Sequence, residues 1–166
     1  MIITASKYSG ACEKSSPAKA IRYLLGTTVT KTIGQRDHDV VRDPVPETLF
    51  GDAQTVGTFL TSLPFKPKYL SMTASFAADE VDARAFSAGG WRREAGHFIA
   101  TILDASYAGI PGPCRPPTFV NTHVNTGRLE INFFCRAPSS MGGHGSKASP
   151  LSRRGKSTPR FVSHCK

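Results

Sequence analysis

The chain of 166 residues has no pair of cysteines at metal-ligand spacing. Cys12, Cys114, Cys135 and Cys165 are scattered, with no C-x-x-C among them. That argues against a zinc knuckle. No apolar run approaches the length of a membrane span. No secretory apolar segment opens the chain either, since Met1 to Ile3 gives way at once to Thr4, Ser6 and Lys7. A soluble, cytoplasmic protein with reduced thiols is the expectation. Acid is missing from one whole region. From Ala137 to Lys166 there is no Asp or Glu, while Lys147, Arg153, Arg154, Lys156, Arg160 and Lys166 supply six of the net +9. A sequence pI near 9.7 favours a polyanionic partner, nucleic acid first. The first 136 residues carry only the remaining +3, so that argument leans mostly on the tail.

What the chain does have is periodicity. Met1 to Tyr8, apolar then polar, reads as a short strand. Ser16-Pro17 is a helix start, a hydroxyl cap followed by proline at the first helical position. Ala18, Ile21, Leu24 and Leu25 follow at helical spacing, and Gly26 is placed to cap the end. Residues 27–46, with Asp37-His38-Asp39 and two prolines, read as a surface excursion. Thr48 to Gly51 reads as a strand, and Asp52 as the cap of a helix through Val56, Phe59, Leu60 and Leu63, stopped by Pro64 and Pro67. Lys68 to Ala77 alternates: Tyr69, Ser71, Thr73 and Ser75 share one face, Leu70, Met72, Ala74 and Phe76 the other. Asp79-Glu80 opens a long helical stretch whose apolar stripe includes Phe86, Trp91, Phe98, Ile99, Ile102 and Leu103, with Gly89-Gly90 as a point where it can break. His97 reads as a helix-surface or core-edge residue rather than a ligand. Residues 108–117 are a proline-rich connector.

The most informative stretch is Phe119 to Arg136, FVNTHVNTGRLEINFFCR. It reads as two strands joined by a turn in which Gly127 takes a positive φ. Glu130 and Asn132 project from one face of the second strand, and Leu129, Ile131 and Phe133 from the other. A two-residue loop at Thr126-Gly127 pairs Asn125 with Arg128 and His123 with Glu130. A three-residue loop with a bulge makes His123 and Glu130 diagonal neighbours. Either way an imidazole, a carboxylate and a carboxamide gather on one face, a donor set that suits Mg²⁺ or Mn²⁺ and equally serves as the polar outer face of a hairpin.

The order β–α–β–α–β–α–β–β implies an α+β fold, an antiparallel sheet closed by a central hairpin with helices covering one face. Residues 1–136 form the folded domain. Residues 137–166, rich in Ser, Gly, Pro, Lys and Arg, have the composition of a disordered basic tail.

THVNTGRLEINF resembles the metal-binding hairpin of plasmid mobilization relaxases of the MobA/MbeA type, the His-Glu-Asn variant of the HUH relaxases. The family pattern is close to H-x-D-K-G-R-x-E-x-N-F. His123, Gly127, Arg128, Glu130, Asn132 and Phe133 match it, and Asn125 and Thr126 depart from it. Two further blocks agree in family order. Tyr23-Leu24-Leu25-Gly26 is similar to the segment carrying the nucleophilic tyrosine. Ser62 to Phe65 with Lys68 to Ala77 is similar to the family phrase S-L-P-F followed by K-Y-x-S-x-x-x-S-F-A. The family's second tyrosine-bearing turn has no counterpart in residues 108–117, and the resemblance stops near Phe134. That ending implies natural divergence or a truncated or frameshifted reading frame, with the second favoured.

The resemblance implies a relaxase fold and a DNA nickase acting at a plasmid transfer origin. Tyr23 would attack as a phenolate, helped by Lys19, Arg22 and the metal, and keep the 5′ end as a phosphotyrosine ester. His123, Glu130 and Asn132 would hold Mg²⁺ or Mn²⁺ at the scissile phosphate. Arg128, Arg22, Lys19, Lys66 and Lys68 would grip the backbone of single-stranded plasmid DNA. Accessory mobilization proteins would be its other partners. The alternatives are an inactive DNA-binding relaxase remnant and a rolling-circle replication initiator-type nuclease.

Overall fold

A computed structural model describes residues 1–6, 16–64, 68–125 and 127–136. Lys66 and the whole of residues 137–166 lie outside the described residues, and with them the expectations placed there.

Five strands make one antiparallel sheet: β1 (Ile2–Ala5), β4 (Thr48–Phe50), β5 (Tyr69–Phe76), β6 (Phe119–Asn125) and β7 (Arg128–Arg136). Their spatial order is β1-β5-β7-β6-β4, so the β6–β7 hairpin stands at the centre, as the sequence implies. A separate two-stranded sheet is made by β2 (Thr28–Ile33) and β3 (Arg36–Val41). The helices are α1 (Pro17–Leu25), α2 (Ala53–Ser62), α3 (Ala83–Ser87) and α4 (Arg92–Ser106), with a 3₁₀ turn at Gly112–Cys114.

The helices cover both faces of the sheet, which corrects the expectation of one covered face. The reason lies in β7. Ile131, Phe133 and Cys135 pack with Leu70, Val120, Ile99, Leu103 and Tyr107 beneath α4. Phe134 points to the opposite side, where it joins Phe119, Leu24, Val56 and Leu60 beneath α1 and α2. A third cluster, Ala83, Phe86, Ala95 and Leu129, seats α3. Fully buried aromatic residues on adjacent positions of one strand require cover on each side.

The stretch read as a surface excursion is the β2–β3 hairpin. Its strands are largely exposed on both faces, so they carry no apolar alternation to announce them. Pairing runs from Thr28–Val41 to Ile33–Arg36 around Gly34 at φ +67°. Thr30 and Thr32 hydroxyls donate to Asp39 and Asp37, at 2.8 and 2.7 Å. The long helical stretch breaks across Gly89-Gly90, where the sequence allows it to, into α3 and α4. Asp82 caps α3 through the backbone amides of Arg84 and Ala85. Trp91, in a left-handed conformation at φ 61°, breaks the run before α4 and is exposed rather than part of the stripe.

Candidate functional site

The site is built where α1 meets β6. The Ser16 hydroxyl accepts from the Lys19 amide, 3.2 Å, and Pro17 supplies the fixed φ of the first helical position. At the other end Gly26 has φ −60° and ψ 127°, extended instead of the left-handed cap that its identity suggests. The last carbonyls of α1 therefore need partners from elsewhere. Side chains far along the chain provide them. Asn121 Nδ2 donates to the Leu24 carbonyl at 2.5 Å, and His123 Nε2 lies 2.6 Å from the same oxygen. Arg42 Nη1 donates to the Tyr23 carbonyl at 3.0 Å.

These contacts bring three side chains together. The Tyr23 ring meets the His123 ring edge-on, with centroids 5.5 Å apart. The Arg42 guanidinium carbon sits 4.7 Å from the Tyr23 ring centroid, and Arg42 Nη1 is 2.7 Å from His123 Nε2. Tyr23 is 60% exposed, while His123 and Arg42 are 5% and 7% exposed. A solvent-reachable phenol thus stands on a buried imidazole and a buried cation. Burial pushes the His123 imidazole below its usual pKa. The Arg42 charge adds to that, against the opposing pull of the Leu24 carbonyl.

The hairpin register is the two-residue-loop one: His123 faces Glu130, Asn125 faces Arg128 and Asn121 faces Asn132. His123, Glu130 and Asn132 therefore share a face, with the facing pair about 5 Å apart at Cβ. Asn132 Oδ1 accepts from the Thr73 hydroxyl of β5 at 2.8 Å. Two atoms on this face, Asn121 Oδ1 and Asn132 Nδ2, are buried without a partner among the described residues.

That arrangement fits an oxygen-seeking cation at its carboxylate and amide positions. Asn121 holds its Nδ2 on Leu24 and so leaves its oxygen unmatched. A flip of the Asn132 amide would set a second oxygen there while keeping a hydrogen bond to Thr73. His123 fits less well as placed. Its Nε2 is held between a carbonyl and a guanidinium, and the guanidinium repels a metal ion there. The ring's Nδ1 makes no hydrogen bond to a described residue. Among the described residues, no group of three or more His, Cys, Asp or Glu is arranged to hold a metal ion; a site here relies on asparagine oxygens.

Among the described residues, the expected DNA-gripping side chains lie on separate elements. Lys19 and Arg22 lie on α1, beside Tyr23. Lys68 donates to the Thr61 carbonyl at the end of α2, 2.7 Å. Arg128 is exposed at the far end of the hairpin, lining a hollow with Met1, Asp79 and Glu80. Two residues of the cluster escape sequence reasoning. Asn121 is two positions before His123 and so shares its face, a signal present in the alternation. Arg42 has no local signal at all; only the fold brings it to Tyr23.

No helix among the described residues is long and apolar enough to cross a membrane. No family model matches the chain, and neither a curated protein nor a solved structure is matched by it.

Proposed function

We propose that the chain is a DNA strand transferase of the plasmid mobilization relaxase type, nicking one strand at a transfer origin through Tyr23. One observation carries the reading. The tyrosine singled out by its motif, and the histidine singled out by a motif far downstream, come into ring contact with the phenol open to solvent. Such a pair gives a nucleophile beside a polar, partly desolvated wall.

In the proposed step the Tyr23 phenol oxygen bonds to phosphorus while the bond from phosphorus to the 3′ oxygen breaks. The phenolic proton passes to water, and the departing 3′ oxygen takes a proton from water. The 5′ end stays on Tyr23 as a phosphotyrosine ester, so attack by a 3′ hydroxyl can reverse the step. His123 borders the phenol ring edge-on. Lys19 and Arg22, on the same helix, draw the DNA backbone toward Tyr23. Mg²⁺ or Mn²⁺ would be held by Glu130 and Asn132, with His123 through Nδ1, and would polarise the phosphoryl group.

The test is a covalent adduct that survives denaturation when the protein meets single-stranded origin DNA and a divalent ion. It is absent with Tyr23→Phe.

A second reading rests on the same contacts. Asn121, His123 and Arg42 all hold α1 by its carbonyls, so the cluster is also what a purely structural helix anchor looks like. The chain is then a relaxase-derived DNA-binding remnant, which binds the strand and forms no adduct. A replication initiator-type nuclease that cuts by hydrolysis would instead leave nicked DNA without an adduct.

A further inference from the structure

Among the described residues Arg42 is the only buried lysine or arginine. It follows β3 directly, and its backbone amide donates to the Thr27 carbonyl at 2.7 Å, closing the neck of the β2–β3 hairpin. Other arginines with ion pairs are more exposed: Arg84 faces Asp43, Arg92 faces Glu47, Arg93 faces Glu94 and Arg115 faces Asp104, at 2.6 to 3.6 Å. Arg42, the more buried charge, has no carboxylate within ion-pair distance among the described residues. Its neighbours are a carbonyl oxygen, an imidazole ring and the face of a phenol ring.

A buried cation with no carboxylate partner among the described residues is costly to leave so, and an anion relieves it. The guanidinium has the edge to receive one. Nη1 donates to the Tyr23 carbonyl and lies against His123 Nε2, whereas Nε and Nη2 make no hydrogen bond to a described residue. Two parallel donors on that edge match two oxygens of a phosphate. The edge belongs to the side chain that lies over Tyr23.

We infer that Arg42 is the phosphate anchor of this site: the free edge of its guanidinium binds two non-bridging oxygens of a phosphodiester beside the Tyr23 phenol. The anion site follows from the geometry alone. That the anion is the phosphodiester Tyr23 attacks rests on the strand-transferase reading.

The probes are inorganic phosphate and a fluorescein-labelled single-stranded oligodeoxynucleotide, used on the full chain with EDTA present so that no metal contributes. Titrating phosphate into ¹⁵N-arginine-labelled wild-type protein shifts the Arg42 side-chain resonances saturably. Arg42→Gln weakens oligonucleotide binding about tenfold by anisotropy, the scale of a lost hydrogen bond to a charged group. Arg42→Lys, which keeps the charge and loses the fork, falls between. Unmoved Arg42 resonances overturn the inference, and so does a folded Arg42→Gln that binds like wild type. The resonance titration needs no variant, so it decides the matter even where a substitution misfolds. Shifted resonances without any covalent adduct from wild type keep the anchor and remove the strand transferase. An adduct with Arg42 unmoved by phosphate does the reverse.

Discussion

Tyr23 and His123 stand on elements far apart in the chain, and their rings meet edge to face with centroids 5.5 Å apart. The contact is made by helix chemistry. Leu24, the residue after Tyr23, offers its carbonyl to both His123 and Asn121, so the end of α1 is tied to the middle of β6. Any motion that frees this helix end moves the phenol off the imidazole.

Asn121 is therefore expected to be a stability residue before it is anything else. Asn121→Ala leaves the buried Leu24 carbonyl to His123 alone and removes a 2.5 Å hydrogen bond. A loss of about 1–3 kcal/mol in unfolding free energy follows, less whatever is regained by removing its own orphaned oxygen. Urea denaturation measures it; a variant as stable as wild type would show that α1 is anchored elsewhere.

Gly51 is the most demanding backbone position near the site. Its φ is +72°, and a Cβ there would lie 2.0 Å from the Thr118 carbonyl oxygen. Gly51→Ala must shift β4 or the start of β6 and is expected to destabilise by about 3 kcal/mol or more. Thermal denaturation reads this directly, and a shift of a degree or two would contradict the close approach.

A cation on the hairpin face is open to direct measurement. Wild-type protein is expected to sequester Mn²⁺, reducing the free-ion electron paramagnetic resonance signal. Glu130→Ala and Asn132→Ala each weaken that binding at least about tenfold. Equal binding by all three proteins would place the ion elsewhere, or nowhere on this face.

Acid sensitivity has a legible source at α2. The backbone amide of Thr55 donates to Asp52 at 2.7 Å, and hydrogen bonds from Thr55 hold the Asp52 carboxyl below its usual pKa. A carboxylate whose folded pKa is depressed stabilises fully above its unfolded value near 4 and loses that contribution as pH falls through the folded one. Asp52→Ala is expected to lower the melting temperature by a few degrees at pH 7. The gap to wild type narrows as the pH is taken from 5 to 2. A gap that stays constant across that range would mean the cap does not depend on charge.

Local signals carried most of the sheet and the helix starts. Ser16-Pro17, Asp52 and the alternation of Tyr69 to Phe76 each dictate their element from within a few residues. The turn left two registers open, and the structure has the one that faces His123 with Glu130. What failed was whatever depended on tertiary cover. Phe134 beside Phe133 signals two covered faces, yet nothing local says which helices supply the second. The β2–β3 hairpin is exposed on both sides and so leaves no hydrophobic trace. Gly26 is a glycine at a helix end without the left-handed cap, because distant side chains satisfy the carbonyls. Arg42 belongs to the same class: a residue whose role is created by the pairing of two remote segments.

The central claim is that Tyr23 is a nucleophile and not an anchor. Wild-type protein, Tyr23→Phe and Glu130→Ala are mixed with single-stranded transfer-origin DNA and Mn²⁺ and run on a denaturing gel. A shifted, protease-sensitive protein–DNA band is expected from wild type alone, with all three proteins equally folded by circular dichroism. A folded wild-type protein that binds the strand and gives no such band, or a Tyr23→Phe protein that still gives it, would contradict the claim.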